Sequence, residues 1–278
     1  MRIGNNPNRS AAAPAYLRPV ALHVNVYLPN LEGYHAQRME VVKTCLATMV
    51  QGARMPHTLI ITASDTMPEM LRWIEEVLQP DIFINCKNFG KTASRKMIAQ
   101  MLPPETILCY SDDDMLFSNN WLAPQIELLK GFPNVACVSG YPVRTSFRWG
   151  NDNTKAWARA EARLTAGRFI PNEWERDFCV SIGRDYAEHI KTSADDVEYL
   201  IDYNGMQAYA TSHHCQQIGY AGVINKVLKY NGLAMGSERQ FDEDLDKLGL
   251  RLATTKRLAR HIGNIMDDSI LAAKAAEA

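Results

Sequence analysis

Ile107-Leu-Cys-Tyr-Ser-Asp-Asp-Asp-Met-Leu-Phe117 is an apolar run that ends in three consecutive carboxylates and then becomes apolar again. The segment from Ile107 to Tyr110 is typical of a buried strand, which places the acidic triplet at its carboxyl end. Ligand crevices form at that end of the strands in open α/β sheets. Side chains alternate along an extended chain, so Asp112 and Asp114 point the same way and can share one hard cation. The triplet therefore predicts a divalent metal site rather than a solvated turn.

The composition is that of an ordinary globular protein. The chain has 278 residues, of which 46% are hydrophobic and 22% charged, and its net charge is -1. This balance excludes a disordered chain and gives no overall attraction to nucleic acid or membranes. No apolar stretch approaches the ~18 residues of a membrane span, and residues 1–19 lack the apolar core of a secretory signal. The six scattered cysteines suit free thiols. We therefore expect a soluble, cytoplasmic protein with a flexible lead-in over residues 1–19.

Strands and helices alternate at short spacing along the first half of the chain. The patterns of apolar residues predict strands at 20–28, 59–62, 81–85, 107–110 and 135–138, and helices at 35–52, 68–78, 91–102 and 121–129. Such alternation is typical of a mostly parallel sheet that is covered by helices on both faces.

The pattern changes after residue 140. Residues 144–168 contain six basic residues against two acidic ones, with three aromatic residues among them, which predicts a long, irregular loop region that faces a substrate. A short acidic helix at 237–248 and a strand at 250–254 follow further along. The Ala-rich end, residues 265–278, predicts a helical tail.

The loop from Asn88 to Arg95 leads into the third predicted helix. Its Gly-Lys-Thr run at 90–92 resembles the end of a Walker A loop, but the first glycine of that motif would fall on Asn85. The ATPase interpretation fails for that reason. A helix start that carries Lys91 and Arg95 attracts phosphate through its free N–H groups and its dipole, although the same residues also suit an ordinary helix start.

Three weaker features lie in the second half. His261 follows the last predicted strand, and a lone histidine is more often structural than a ligand. His213 and His214 are weaker still, because neighbours on a strand point to opposite faces. The acidic residues at 242–246 fit a solvated helix start. A metal site, a cationic helix start, a later carboxylate and a late histidine nevertheless suit, in combination, a sugar-nucleotide transferase, in which the metal neutralises a leaving diphosphate.

Over residues 22–264 this combination resembles the GT-A fold glycosyltransferases, and is most similar to the family 2 type. The resemblance rests on Asn-x-Gly at 88–90, Asp-x-Asp at 112–114 and His-x-Gly at 261–263. It implies an α/β fold with a mixed, mostly parallel, Rossmann-like sheet flanked by helices.

The same resemblance implies the domain organisation. A single domain would span residues 20–264. Residues 20–140 would form its nucleotide-sugar-binding half, and residues 141–264 would form an acceptor half with a helical and loop extension.

The resemblance also implies roles for individual residues. Asp114 and His261 would be ligands of Mn²⁺ or Mg²⁺, and Asp112 would reach the metal through water or contact the ribose of the donor. Many relatives carry an Asp that contacts the base at the position of Thr62, and Asp65 is the substitute in this chain. The donor would be a nucleoside diphosphate sugar, with UDP-sugars favoured. Its expected contacts are Pro29, Asp65, Asn88, Gly90, Lys91, Arg95, Asp112 and Asp113.

The catalytic base of the family usually lies in an acidic helix start, which is matched here by residues 241–244. We favour Asp242 as the base, with Asp244 second, in an inverting displacement, and a retaining outcome remains open. The candidate acceptor-binding residues are Arg144, Arg148 and Trp149, since aromatic rings stack on sugars and guanidinium groups pair with phosphate or carboxylate.

Two other classes of function remain open. A nucleotidyltransferase shares the strand–helix plan and the metal, but it predicts a Gly-rich loop after the first strand, where residues 27–33 carry one glycine. A catalytically inactive module would bind a sugar nucleotide or a nucleic acid, although the retained candidate metal ligands argue against it. The acceptor of a working transferase would be a glycan, a small molecule or a nucleic acid.

Overall fold

The first half of the chain builds parallel strands joined by helices. The computed structural model describes residues 18–227, 237–267 and Ile270. The elements up to residue 140 are β1 (Val20–Val26), α1 (Arg38–Ala53), β2 (Thr58–Ser64), α2 (Pro68–Trp73), β3 (Ile82–Cys86), α3 (Lys91–Met101), β4 (Ile107–Ser111), β5 (Met115–Phe117), α4 (Leu122–Gly131) and β6 (Val135–Ser139). A π-helical turn, Ile74–Leu78, extends α2. All nine elements predicted for this half are present, and β5 is an additional strand.

The second half is more regular than its sequence predicts. Its elements are α5 (Asp152–Glu161), β7 (Arg163–Gly167), α6 (Asn172–Ser181), α7 (Tyr186–Thr192), β8 (Glu198–Tyr203), β9 (Met206–Tyr209), β10 (Gln216–Tyr220), α8 (Ala221–Val227), α9 (Ser237–Leu248), β11 (Leu250–Ala253) and β12 (Ala259–His261).

The irregular loop predicted at 144–168 is wrong. This segment contains a 3₁₀ turn at Arg144–Arg148, followed by α5 and β7. Thr154 and Ala158 are buried while Arg159 is exposed, so α5 has one inward face that the many basic residues conceal in the sequence.

Ten strands form one continuous sheet in the order β3-β2-β1-β4-β10-β6-β11-β9-β8-β7. The pairings give seven strands that run in one direction, and β10, β9 and β7 run in the other. The expected mixed, mostly parallel α/β sheet is thereby confirmed. β5 and β12 pair separately in a two-stranded sheet. Because β10 lies between β4 and β6, the second half of the chain supplies a strand to the middle of the first.

Both faces of the sheet are covered by helices, which is why β1 and β4 are mostly apolar. On one face, Leu22 and Val24 of β1 pack in a cluster with Leu46 of α1. On the other face, Leu108 of β4 packs with Ile98 of α3 in a second cluster that also contains residues of α8 and α9. Strands that are buried on both faces lack the alternation of half-exposed strands.

The ends of the chain lie mostly outside the described residues. The lead-in predicted at 1–19 is described only for residues 18 and 19, and the tail predicted at 265–278 only for residues 265–267 and Ile270. Within the described ranges, no helix is long and apolar enough to cross a membrane. All six cysteines are free, and five of them are buried.

Candidate functional site

The acidic triplet lies where the sequence places it, at the carboxyl end of β4. It faces a cavity of about 460 Å³ that is lined by the ends of β1 and β4, the start of α1 and the start of α3. The lining residues are Asn25, Tyr27, Tyr34, His35, Arg38, Asn88, Gly90, Lys91, Arg95, Ser111, Asp112, Asp113 and Asp114. The cavity thus contains six of the eight predicted donor-binding residues, and Pro29 and Asp65 lie outside its lining.

Asp112 is neutralised by the first turn of α3. Its carboxylate lies 2.7 Å from Arg95 Nη2 and 3.3 Å from Lys91 Nζ. Burial alone would raise the pKa of this carboxyl, but the charges of Lys91 and Arg95 outweigh burial and hold the pKa far below its usual range. The Arg95 guanidinium also stacks 4.2 Å from the centroid of the Tyr110 ring, which fixes its position.

The loop before α3 is ordered by its own polar groups. Gly90 has a φ of 92°, in the region that only glycine enters readily, and its N–H donates to Asn88 Oδ1 at 3.0 Å. The N–H of Asn88 donates to Asp65 Oδ2 at 3.0 Å, and this bond, before that from Lys87, lowers the pKa of the exposed Asp65. Asp65 therefore holds the loop and does not line the cavity.

Asp113 is paired with a residue that the sequence analysis missed. Arg38 Nη2, at the start of α1, lies 2.6 Å from Asp113 Oδ1, and the Tyr27 N–H donates to Oδ2 at 3.1 Å. Burial raises the pKa of Asp113, and the negative charge of the neighbouring Asp114 raises it further. Together these two effects outweigh the charge of Arg38, which lowers the pKa. The signal in the sequence was the triplet itself, because three adjacent carboxylates require a nearby cation.

Asp114 and His261 come together across the β5–β12 pair. His261 Nε2 lies 3.3 Å from Asp114 Oδ2, and His261 Nδ1 lies 2.8 Å from Ser181 Oγ. Burial would lower the pKa of His261, but Asp114 raises it. Asp114 Oδ1 is buried and has no hydrogen-bond partner among the described residues. An unpartnered carboxylate oxygen next to an imidazole fits a divalent cation such as Mn²⁺.

Asp112 does not join this pair in the structure. Within the described ranges, no group of three carboxylate, histidine or cysteine side chains that includes Asp112 has its ligand atoms within 4.8 Å of one another. The carboxylate faces Lys91 and Arg95 instead. The predicted trio of metal ligands is thus seen as a pair, Asp114 and His261, with Asp112 beside it.

Asp242 is not exposed to the cleft, in contrast to what its position in the acidic helix predicts. The residue is 1% exposed, and its Oδ1 lies 2.8 Å from Nη2 of the buried Arg251. Its Oδ2 lies 3.0 Å from His214 Nδ1. Burial raises the pKa of Asp242, while Arg251 and His214 lower it below its usual value. Asp244 lies on the surface of α9, where Lys247 Nζ is 2.7 Å away.

The three predicted acceptor residues are in different environments. Arg144 is buried, with its Nε 2.6 Å from Glu198 Oε1, so its guanidinium is a structural ion pair. Arg148 is exposed but pairs with Asp196 at 2.8 Å. Trp149 is partly exposed and lies under the guanidinium of Arg239, 5.7 Å from the ring centroid. None of the three lines the cavity at the triplet.

The sequence predicts that His213 and His214 lie on a strand and point to opposite faces of it. The structure places both before β10, which begins at Gln216, and their rings stack with centroids 4.5 Å apart. The premise that they lie on a strand is therefore wrong. His214 contacts Asp242, and no signal in the sequence predicted this contact because 28 residues separate the two.

No known family model matches this chain, and no curated protein matches it either. The solved structures that resemble it include glycosyltransferases and nucleotidyltransferases. A mannosyltransferase from Pyrobaculum calidifontis with GDP-Man and Mn²⁺ has 18% identity and a TM-score of 0.36, over 48% of this chain and 38% of that one. Residues 1–349 of S. aureus TarS have 7% identity and a TM-score of 0.49, over 88% and 60% of the two chains.

A 4-diphosphocytidyl-2C-methyl-D-erythritol synthase from Anaerococcus prevotii covers 95% of this chain and 99% of its own, with 11% identity and a TM-score of 0.43. The chain thus spans less than two thirds of the first two structures and nearly all of the third. These likenesses concern the fold alone.

Proposed function

We propose that this protein is a metal-dependent glycosyltransferase that moves a sugar from a nucleoside diphosphate sugar to an acceptor hydroxyl. One observation carries the proposal: a single cavity is lined both by the cationic start of α3 and by Asp114, which pairs with His261 and has an unpartnered oxygen. A diphosphate with its divalent cation would complement both parts of this site. Its anionic oxygens would contact Lys91 and Arg95, and its cation would be bound by Asp114 and His261.

The start of α3 is the proposed diphosphate-binding element. Lys91, in its first turn, and Arg95, the fifth residue of the helix, line the cavity, where the free N–H groups of a helix start attract anions. Asn88 and Gly90 shape the approach, because the positive φ of Gly90 brings the backbone of the loop close to the ligand. Asp113 is held by Arg38 at the floor of the same cavity.

The metal, Mn²⁺ or Mg²⁺, would be held by Asp114 and His261. When bound, it supplies positive charge that stabilises the departing diphosphate. Ser181 fixes the ring of His261 through Nδ1, which leaves Nε2 toward Asp114. Asp112 would contact the ribose of the donor, because its carboxylate faces Lys91 and Arg95 rather than the pair.

The proposed acceptor-binding residues lie outside the cavity at the triplet. Arg148 and Trp149 are the candidates, and Arg144 is omitted because its guanidinium is committed to Glu198. We propose an inverting displacement, in which an acceptor hydroxyl attacks the anomeric carbon and loses its proton. A UDP-sugar is the favoured donor, and the acceptor would be a glycan, a small molecule or a nucleic acid.

A thermal-shift panel tests the proposal directly. Nucleoside diphosphates, their sugar conjugates and nucleoside triphosphates are added with Mn²⁺ or with EDTA to the wild type, to Asp114→Ala and to Asp152→Ala, which changes an exposed carboxylate. A ligand at 100 times its dissociation constant adds about 2.7 kcal/mol of stability. We expect a Mn²⁺-dependent shift with one sugar nucleotide that Asp114→Ala alone abolishes.

Two other outcomes would contradict the proposal. A shift with a nucleoside triphosphate but with no sugar nucleotide would favour a nucleotidyltransferase. No shift with any nucleotide would leave the acidic triplet with a structural role only.

A further inference from the structure

His214 and Asp242 form a hydrogen-bonded pair of the kind that positions an imidazole for proton transfer. His214 Nδ1 lies 3.0 Å from Asp242 Oδ2. The other carboxylate oxygen, Oδ1, lies 2.8 Å from Arg251 Nη2 and 3.3 Å from Gln217 Nε2. Both oxygens of Asp242 are therefore occupied, and the residue is 1% exposed. An acceptor hydroxyl has no route to this carboxylate, whereas the His214 side chain is 22% exposed.

The support of Asp242 is rigid. The Arg251 side chain is fully buried, donates to Ser212 Oγ at 3.1 Å and to the Ser212 carbonyl at 2.9 Å, and also contacts the carbonyl of Gly150. Arg251 is in β11 and Gln217 is in β10, so two strands of the central sheet hold the carboxylate in place. A carboxylate held in this way keeps one orientation of the imidazole that contacts it.

The sheet places His214 next to the acidic triplet. β10 runs antiparallel to β4 with Gln216 opposite Ser111, and the pairing continues one step further, where the Asp112 N–H donates to the Cys215 carbonyl at 2.8 Å. His214 follows at the next position, close enough to Asp112 for the charges of the two side chains to interact. Glu238, at the start of α9, interacts with His214 and pairs with Lys91 at 3.0 Å.

The geometry fixes which ring nitrogen is available. A carboxylate accepts hydrogen bonds, so the nitrogen that faces Asp242 carries the proton, and Nε2 of the neutral ring keeps its lone pair. The ionised form of Asp242 is favoured because Arg251 and His214 outweigh burial in setting its pKa. Among the described residues, the charged and titratable groups that interact with His214 or lie beside it include Asp242, the stacked His213, Asp112, Glu238 and Cys215. Burial lowers the pKa of His213 far below its usual value, so that ring adds no charge.

We propose that Nε2 of His214 is the proton acceptor of the reaction and that Asp242 is its positioning residue, an inference that rests on the proposed glycosyl transfer. The acceptor oxygen forms a bond to the anomeric carbon, and the bond from that carbon to the diphosphate oxygen breaks with its electron pair on the diphosphate. The acceptor proton passes to Nε2, while Nδ1–H keeps its bond to Asp242. The imidazolium then releases the proton to water, and the ring returns to its starting state.

This assignment changes the role expected for the acidic helix. Asp242 contributes through His214 instead of touching the acceptor, which explains how a buried, ion-paired carboxylate can serve proton transfer. Asp244 has no part in the step, since its carboxylate pairs with Lys247 and Gln240 on the surface of α9. In this arrangement His214 is the general base, and Asp242 is the group that orients it.

The test uses the sugar nucleotide that stabilises the wild type in the thermal-shift panel, with Mn²⁺ and with water as the acceptor, and follows release of the nucleoside diphosphate. We expect His214→Gln to lower kcat about 100-fold or more, with KM and the donor-induced melting shift unchanged, because a general base contributes 10²- to 10⁴-fold. Asp242→Asn should also lower kcat with little change in KM. The control His57→Gln changes a histidine next to β2, outside the cavity lining, and should leave both constants unchanged.

Two results would overturn the inference, and they are distinguishable from failure of the proposed function. If His214→Gln binds the donor and retains kcat within about threefold of the wild type, another group accepts the proton. If added imidazole fails to restore turnover to His214→Ala, the ring has only a structural role. If no nucleotide shifts the melting temperature of the wild type, the glycosyltransferase proposal fails and the inference fails with it.

If the donor binds but water does not cleave it, the protonation state of the His214 ring tests the proposal instead. Nitrogen-15 spectra of His214 in the donor complex should show Nδ1 protonated and Nε2 unprotonated, and Asp242→Asn should alter that preference. An Nε2-protonated ring in the wild type would overturn the proposal, because no lone pair would then be available to the acceptor.

Discussion

Asp112, Asp113 and Asp114 are adjacent in the sequence, yet each carboxylate has a different set of neighbours. Asp112 faces the cations of α3, Asp113 faces Arg38 of α1, and Asp114 faces His261 of β12. The apolar run before the triplet made its position predictable. The partners were not all predictable from one sequence. Arg38 lies 75 residues before Asp113 and His261 lies 147 residues after Asp114, and local sequence patterns carry no information about contacts between such distant residues.

The first prediction at the residue scale concerns how much the Arg38–Asp113 ion pair contributes to stability. Both side chains are nearly buried, so Arg38→Met leaves Asp113 and Asp114 as uncompensated neighbouring charges. We expect the free energy of unfolding in urea to fall by about 3 kcal/mol. Combining Arg38→Met with Asp113→Asn removes one of the two charges and should recover part of that loss. A single variant within about 0.5 kcal/mol of the wild type would contradict the argument.

The buried His23 should make the folding stability of the protein depend on pH. It is fully buried on β1, its Nε2 lies 3.1 Å from Thr62 Oγ1, and burial followed by the charge of Arg95 lowers its pKa to about 3. Between pH 6.5 and that value the unfolded chain binds a proton that the native chain does not, so stability falls as the pH falls. From pH 6.5 to pH 5 this one residue should cost roughly 2 kcal/mol.

Urea titrations at pH 7 and pH 5 measure the effect of His23. His23→Gln should show a smaller loss of stability between the two pH values than the wild type, and His57→Gln should behave as the wild type does. Equal losses in all three proteins would show that His23 does not contribute to acid sensitivity.

At the scale of elements, the turn after β12 predicts how the His261 site depends on packing. Gly263 has a φ of 60°, and a Cβ added there would collide with the carbonyl oxygen of Ser181, whose hydroxyl holds the His261 ring. Gly183 also has a positive φ, but a Cβ added there meets nothing within 4 Å. Both substitutions by Ala incur backbone strain of about 1 kcal/mol, and only Gly263→Ala also displaces the end of α6.

We therefore expect the two glycine variants to differ in their response to Mn²⁺. Gly183→Ala should keep the Mn²⁺-dependent melting shift in the presence of the sugar nucleotide, although its melting temperature is lower. Gly263→Ala should lose most of that shift. The same shift in both variants would mean that Ser181 is not needed to hold His261.

The elements also explain why the first half was easier to predict than the second. β1 and β4 are apolar runs buried on both faces, and the helices between them have clear inward stripes. β10 reads Gln-Gln-Ile-Gly-Tyr, because its buried glutamines satisfy Gly140, Tyr110 and Asp242 rather than packing in an apolar core. No apolar pattern marks such a strand. For the same reason, nothing in the sequence marks His214, which lies two residues before that strand.

At the scale of the whole molecule, the continuous sheet predicts one cooperative unfolding transition. β10 joins β4 to β6, so neither the 20–140 half nor the 141–264 half has a complete sheet on its own. We expect urea unfolding followed by circular dichroism to coincide with fluorescence from a variant whose Trp149, Trp157 and Trp174 are changed to Phe, which leaves reporters only in the first half. Separate transitions would identify two domains.

The position of β10 also has a consequence for how the chain acquires its site. Until β10 has been made and has entered the sheet, β4 presents an unpaired edge, and such an edge is open to association with other chains. His214, Arg251 and His261 are all encoded after residue 210, so a nascent chain that already has the triplet and the start of α3 has neither the proposed proton acceptor nor the histidine proposed as a metal ligand. The central strand thus couples completion of the sheet to completion of the proposed site, and a chain that stalls before residue 220 is vulnerable to aggregation.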